Sequence, residues 1–190
     1  CDSKFITFGK CRNVVLEQNI FEVVCTYATW SMVFDSSNDT DDGVEIKNNE
    51  FYLTSYEGKG KGNIIGGKLN FHDNKVVCDT ALTFGVRGDN LENNQFLFIH
   101  NLGSGVAGGC FSANCNLKNN EVIMYNGHSC ASNLLAFNNV NETEKKLVTN
   151  NTFINYGRAQ RNRKDGAYRG AWDALIGVSS SIDTVEFSNN

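Results

Sequence analysis

The 190-residue chain carries 17 basic and 21 acidic residues, giving a net charge of −4 and a pI near 5.4. A nucleic-acid partner asks for a basic face or a domain pI above about 9, so that class is excluded at the outset. No run of about 18 apolar residues occurs, so no transmembrane segment is expected, and the length suits one domain over 1–190.

The first elements are short apolar alternations, Phe5-Ile6-Thr7-Phe8, Val14-Val15-Leu16 and Asn19-Ile20-Phe21-Glu22-Val23-Val24, broken by Gly, Asn and Lys. Such runs between breakers read as strands. No helical-period stretch and no polar cap precede them, and the chain opens on Cys1 without a leader. It is therefore expected to be a section of a longer chain, or a lipoprotein anchored through Cys1 if that residue is the mature terminus. Another strand follows at Trp30-Ser31-Met32-Val33-Phe34. The loop after it holds Asp35, Asp39, Asp41 and Asp42, whose spacing fits no EF-hand, so the expectation is a solvated loop and no metal site. In Gly58-Lys59-Gly60-Lys61-Gly62 the lysines lack the following Ser or Thr of a phosphate-binding loop. Asn63-Ile64-Ile65 then starts a strand where such a loop needs a helix, so nucleotide binding is rejected.

One grammar recurs along the chain: an apolar residue three before a fixed Asn and another two after it. Leu16…Asn19…Phe21, Ile46…Asn49…Phe51, Phe71…Asn74…Val76, Leu91…Asn94…Phe96, Leu117…Asn120…Val122 and Val148…Asn151…Phe153 obey it, and Phe187…Asn190 begins a seventh copy. A unit repeated this often reads as an all-β solenoid of about seven coils, each burying its apolar face against its neighbours. From Asn49 onward the fixed Asn are 25, 20, 26, 31 and 39 residues apart. The pattern is constant while the spacing grows, so the extra residues are expected as insertions on one face, the longest between Ile154 and Ser179. Asn tolerates the left-handed backbone region and bonds locally, so the recurring Asn reads as a recurring turn. The seven Cys match no zinc spacing, and most are expected as buried small hydrophobes, Cys78 among them, with a disulfide from Cys110 to Cys115 or Cys130 as the other reading.

The units VEIKNNEFYLTS, NLENNQFLFIHN, CNLKNNEVIMYN and LVTNNTFINYG, with FITFGKCRNVVLEQNIFE at the start, resemble the repeats of right-handed parallel β-helix proteins of the pectin-lyase-like superfamily. The likeness spans essentially the whole chain. It implies a right-handed single-stranded parallel β-helix, with an inward ladder of Asn19, Asn49, Asn74, Asn94, Asn120, Asn151 and Asn190. Stacking at about 4.7–4.9 Å would let each amide bond to the next. Phe21, Phe51, Phe96 and Phe153 would form an apolar column beside it. The superfamily contains polysaccharide lyases, glycoside hydrolases, epimerases, phage tailspikes and adhesins, so an extracellular, cell-surface or virion location and a polysaccharide partner are implied. Fold alone selects none of them.

The candidate site is the stretch 156–173. Five of the chain's 17 basic residues, Arg158, Arg161, Arg163, Lys164 and Arg169, fall there among Tyr156, Tyr168 and Trp172. Arg forks match carboxylates and aromatic faces suit sugars, so Arg158, Arg161, Arg163, Lys164, Tyr168 and Trp172 are read as substrate-binding toward an acidic glycan. Asp165 and Asp173, with Arg169, are the catalytic candidates; either Asp beside Arg stays ionised, as a base or as a calcium ligand together with a uronate if the protein is a lyase. His72, His100 and His128 are the remaining acid–base candidates. No strand carries the tight Asp cluster of an inverting hydrolase. Asn38, Asn141 and Asn150 open N-glycosylation sequons, the last on the core turn, where a glycan is not expected. The alternative to a glycan-binding or glycan-cleaving protein is a non-enzymatic adhesive fibre, trimeric, with 156–173 as an intersubunit contact.

Overall fold

The structure, a computed structural model, describes residues 3–8, 13–25, 31–36, 44–55, 62–66, 70–79, 84–86, 90–99, 112–113, 116–128, 135–138, 145–158, 176–179 and 185–190. The stretch from Val44 shows why these residues take the form they do. Val44 and Ile46 are buried at 1% and 0% exposure while Glu45 and Lys47 stay partly exposed, the two-residue period of a strand. Asn48 then adopts a left-handed φ of 53°, Asn49 turns inward at 1% exposure, and Phe51 and Leu53 resume the buried period on the next strand.

Among the described residues, repetition of that unit builds three sheets. The first holds Ser3–Phe8, Ser31–Ser36, Gly62–Gly66, Phe84–Val86, Ser112–Ala113, Leu135–Asn138 and Ile176–Ser179. The second holds Val14–Glu17, Val44–Lys47, Asn70–His72, Asn90–Glu92, Asn116–Lys118, Lys146–Thr149 and Val185–Ser188. The third holds Ile20–Cys25, Glu50–Ser55, Lys75–Asp79, Gln95–Ile99, Glu121–His128 and Thr152–Arg158. The chain visits the sheets in turn and all the strand pairs are parallel, an all-β arrangement compatible with a parallel β-helix. Equivalent residues face one another: Ile46 pairs with Phe71, Phe71 with Leu91, Leu91 with Leu117, and Leu117 with Val148.

The connection from second to third sheet is always two residues long, and the two have separate tasks. Gln18, Asn48, Asp73, Asn93, Asn119, Asn150 and Asn189 carry φ between 53° and 58°. That conformation costs a residue with a Cβ about 1–2 kcal/mol, and Asn and Asp are among the residues that adopt it most readily. The residue after each makes the buried chain of amides, so the turn and the inward amide, expected on one Asn, fall on successive residues. Asn74 shows the full pattern. Its Oδ1 accepts from the Asn49 backbone N–H at 2.9 Å and from Asn49 Nδ2 at 3.1 Å, while its own Nδ2 donates to Asn94 Oδ1 at 3.3 Å and to the Ile46 carbonyl at 2.8 Å. The same links join Asn19 to Asn49, Asn94 to Asn120, Asn120 to Asn151 and Asn151 to Asn190. Asn49, Asn74, Asn94, Asn120 and Asn151 are buried to 2% exposure or less, and none of the four hydrogen-bonding valences of Asn74's amide is left over.

Beside the amides the core is aliphatic with a set of phenylalanines packed within it. Phe21 stacks on Phe51 with centroids 4.9 Å apart and planes 8° apart. The column is not the run of Phe expected from the sequence, because Val76 follows Phe51 in register and Val122 follows Phe96. Phe71, from the second sheet, packs instead 5.6 Å from Phe51 and 6.2 Å from Phe96. Burying a side chain of this size contributes roughly 1.5–3 kcal/mol. Cys78 is buried at 1% in register with Leu53, while Cys1, Cys11, Cys110, Cys115 and Cys130 lie outside the described residues. Insertions are not confined to one connection. The two longest, 100–111 and 159–175, run from the third sheet to the first, but the links from first to second also vary, from 114–115 to 139–145.

Asn94→Ala removes the acceptor of Asn74's backbone and side-chain N–H groups and the donor to the Phe71 carbonyl, each loss of a buried partner costing about 1–3 kcal/mol. Urea denaturation is expected to show at least about 2 kcal/mol of lost stability, and Asn94→Asp, which brings a buried acceptor in place of the donor, no smaller a loss. A loss below about 0.5 kcal/mol would mean the amide chain is geometry without energetic weight.

Candidate functional site

The strand Thr152–Arg158 takes Tyr156, Gly157 and Arg158 out of the expected loop and into the third sheet, because they continue its pairing with Glu121–His128. Tyr156 is 52% exposed. Tyr125 pairs with Tyr156 and His128 with Arg158, so Asn126 and Gly127 stand opposite the single residue Gly157. Two residues against one is a β-bulge, a device that bends a strand and re-aims the side chains beyond it. The structure thus brings His128 and Arg158 to one register position where the third sheet gives way to 159–175. Arg161, Arg163, Lys164, Asp165, Tyr168, Arg169, Trp172, Asp173 and His100 lie outside the described residues.

The outer face of the second sheet carries polar rows that were not anticipated from the sequence. Asn90 Nδ2 donates to Asn70 Oδ1 at 2.9 Å, Asn116 Nδ2 donates to Asn90 Oδ1 at 3.1 Å, and the Leu147 backbone N–H closes the row on Asn116 Oδ1 at 2.9 Å. The available signal was an Asn four before Asn74, Asn94 and Asn120. In the left-handed row Asn119 Nδ2 donates to Asn93 Oδ1 at 3.0 Å. Lys118 meets Glu92 at 2.6 Å across adjoining strands, and Lys145 pairs with Glu186. The sequon residue Asn150 belongs to this exposed left-handed row, while its neighbour Asn151 is the buried one, which corrects the placement of that sequon on the core.

His72 and Glu45 form the centre of a charged cluster on that face. His72 Nε2 lies 2.9 Å from Glu45 Oε1 on the neighbouring strand and its Nδ1 2.7 Å from Asp73 Oδ2, while Lys47 Nζ holds the other Glu45 oxygen at 3.3 Å. Partial burial opposes the charged ring, but the hydrogen bonds to Asp73 and Glu45 outweigh it and raise the imidazole above its ordinary value. The bond from His72, then that from Lys47, hold Glu45 below the ordinary carboxylate range, and the bond from His72 does the same for Asp73.

The third sheet presents a different outer face. Tyr52, Val77, Leu97, Ile123 and Ile154 stand in register across five strands, each partly exposed. On the same face Tyr52 Oη bonds Glu50, Lys75 Nζ lies 3.8 Å from Glu50, and the same ammonium sits 5.7 Å from the Tyr52 ring centroid, within cation–π range. Among the described residues no group of three or more His, Cys, Asp or Glu is arranged to hold a metal ion, and no helix is long and apolar enough to cross a membrane. Comparison of the chain with protein families, with curated proteins and with solved structures found no match.

The outer amide row is exposed, so the bonds lost in Asn90→Ala pass to water. The expected cost in urea denaturation is below about 1 kcal/mol, well short of that for Asn94→Ala in the buried row. Equal costs for the two would remove the distinction drawn between inner and outer rows.

Proposed function

We propose that the chain is a right-handed parallel β-helix of the pectin-lyase-like kind, extracellular, cell-surface or virion-borne, that binds an acidic polysaccharide through 156–173. The parallel three-sheet arrangement and the buried Asn row support the architecture. The observation that carries the functional reading is the bulged end of the third sheet. There Arg158 stands opposite His128, and the chain enters a stretch holding Arg161, Arg163, Lys164, Tyr168, Arg169 and Trp172. Guanidinium forks pair bidentately with carboxylates, and Tyr and Trp offer flat apolar faces to sugar rings. Cleavage by a lyase or hydrolase route would draw on Asp165, Asp173 and Arg169 for proton transfer and charge neutralisation.

A second reading, a stiff adhesive or structural fibre, is favoured by one observation: the amide row runs unbroken from Asn19 to Asn190 through every repeat. The two readings separate in one experiment. The triple variant Arg161→Ala, Arg163→Ala, Trp172→Ala is expected to lose at least tenfold in affinity for acidic glycans on an array, with neutral glycans unaffected. Unchanged affinity and turnover leave the fibre, and sedimentation of the intact protein then reports whether it is trimeric.

A further inference from the structure

We propose that Glu45, His72 and Asp73 form a proton-dependent clasp that fastens one repeat to the next on the outer face of the second sheet. A neutral imidazole has one N–H, so it can donate to one carboxylate and must turn a lone pair toward the other. Here both ring nitrogens lie within hydrogen-bond distance of a carboxylate oxygen, 2.9 Å to Glu45 and 2.7 Å to Asp73. With both carboxylates ionised, as their lowered titration favours, only the imidazolium, donating from both nitrogens, satisfies both contacts.

The surrounding charges agree with that state. Lys47, beside His72 on the neighbouring strand, opposes a second positive charge, but its ammonium engages the Glu45 oxygen that His72 leaves open. On the other neighbouring strand the residue in register with His72 is Glu92, which is paired with Lys118, and Asn93 bonds Asp73. Two carboxylates at contact distance therefore face one ring and one ammonium. The contact to Glu45 joins Val44–Lys47 to Asn70–His72, so the clasp spans consecutive repeats.

These shifts set the direction of the pH response. His72 is raised when folded, so its contribution is complete below the ordinary histidine value near 6.5 and is lost as pH rises through the raised value. Glu45 and Asp73 are lowered, so their contribution is present above the ordinary carboxylate range near 4 and is lost as pH falls below it. The clasp is closed in mildly acidic solution and opens on the alkaline side. Opening is local, because the buried amides of Asn49, Asn74 and Asn94 do not titrate.

The test is a pH titration of the histidine side chains by nitrogen-detected NMR on the 190-residue protein, with Glu45→Gln alongside. His72 is expected to carry protons on both ring nitrogens at about pH 6, to titrate above the ordinary value of about 6.5, and to move down in Glu45→Gln. Hydrogen exchange of the Asn70–Asp73 amides is expected to speed up severalfold between about pH 6 and about pH 8.5, beyond the intrinsic rise, in the wild type and not in His72→Gln. Titration of His72 at or below about 6.5 in the wild type would overturn the proposal, as would the same exchange profile in both proteins. The wild-type titration stands even if a variant fails to fold.

Discussion

The fold depends on a two-residue corner whose polar groups are paired inside the molecule. A chain that turns this sharply between two buried strands would ordinarily strand backbone N–H groups away from water, at about 1–3 kcal/mol each. Here the buried amide of each corner takes the next corner's oxygen as acceptor, and the left-handed residue before it donates its own N–H to the following repeat, as Asp73 does to the Glu92 carbonyl at 3.0 Å. Each corner is complete only when another lies against it. That dependence makes the strands line up with equivalent residues opposite, and it fixes the register that places Phe51, Phe71 and Phe96 within ring contact.

The outer faces of the sheets divide the surface by chemistry. On the second sheet, amides, carboxylates and ammonium groups pair along the stacking direction, as in Asn70, Asn90 and Asn116 or Glu92 and Lys118. Exposed pairs of this kind contribute little individually, typically below about 1 kcal/mol. On the third sheet the row of Tyr52, Val77, Leu97, Ile123 and Ile154 is apolar, and the longest connections depart from that sheet's far end. The glycan reading concerns that end, where the bulge at Asn126 and Gly127 breaks the regular ladder.

Much of this was legible in the residues, and the exceptions have physical reasons. Burial of Asn49, Asn74, Asn94, Asn120 and Asn151 followed from the constant pattern of apolar residues around each, because a side chain that recurs at one place in every repeat must serve the stack. The division of labour between paired residues was not legible: Asn48 and Asn49 are the same residue type, and only the backbone shows that one turns and the other points inward. The outer Asn row was hidden because it covers three repeats and gives way to Glu45 and Leu147 in its neighbours. Nothing in the spacing marked Lys146, buried at 5% exposure at the place held by Val44 in another repeat and in register with Val185. Glu45 and Asp73 are 28 residues apart in the sequence numbering and meet at His72 only because one repeat lies on another.

The inner amides all face the same way. Each oxygen from Asn49 to Asn190 accepts from the amide of the preceding repeat, and each NH2 group from Asn19 through Asn151 gives one hydrogen to the following amide while the other goes to a backbone carbonyl. Bonds in series polarise one another, so their small dipoles add instead of cancelling. No single amide can rotate by a half-turn, since it would set oxygen against oxygen on one side and nitrogen against nitrogen on the other. The interior therefore carries a fixed electrical sense from one extremity to the other, and any surface that continues the stack must match it in sign as well as in shape.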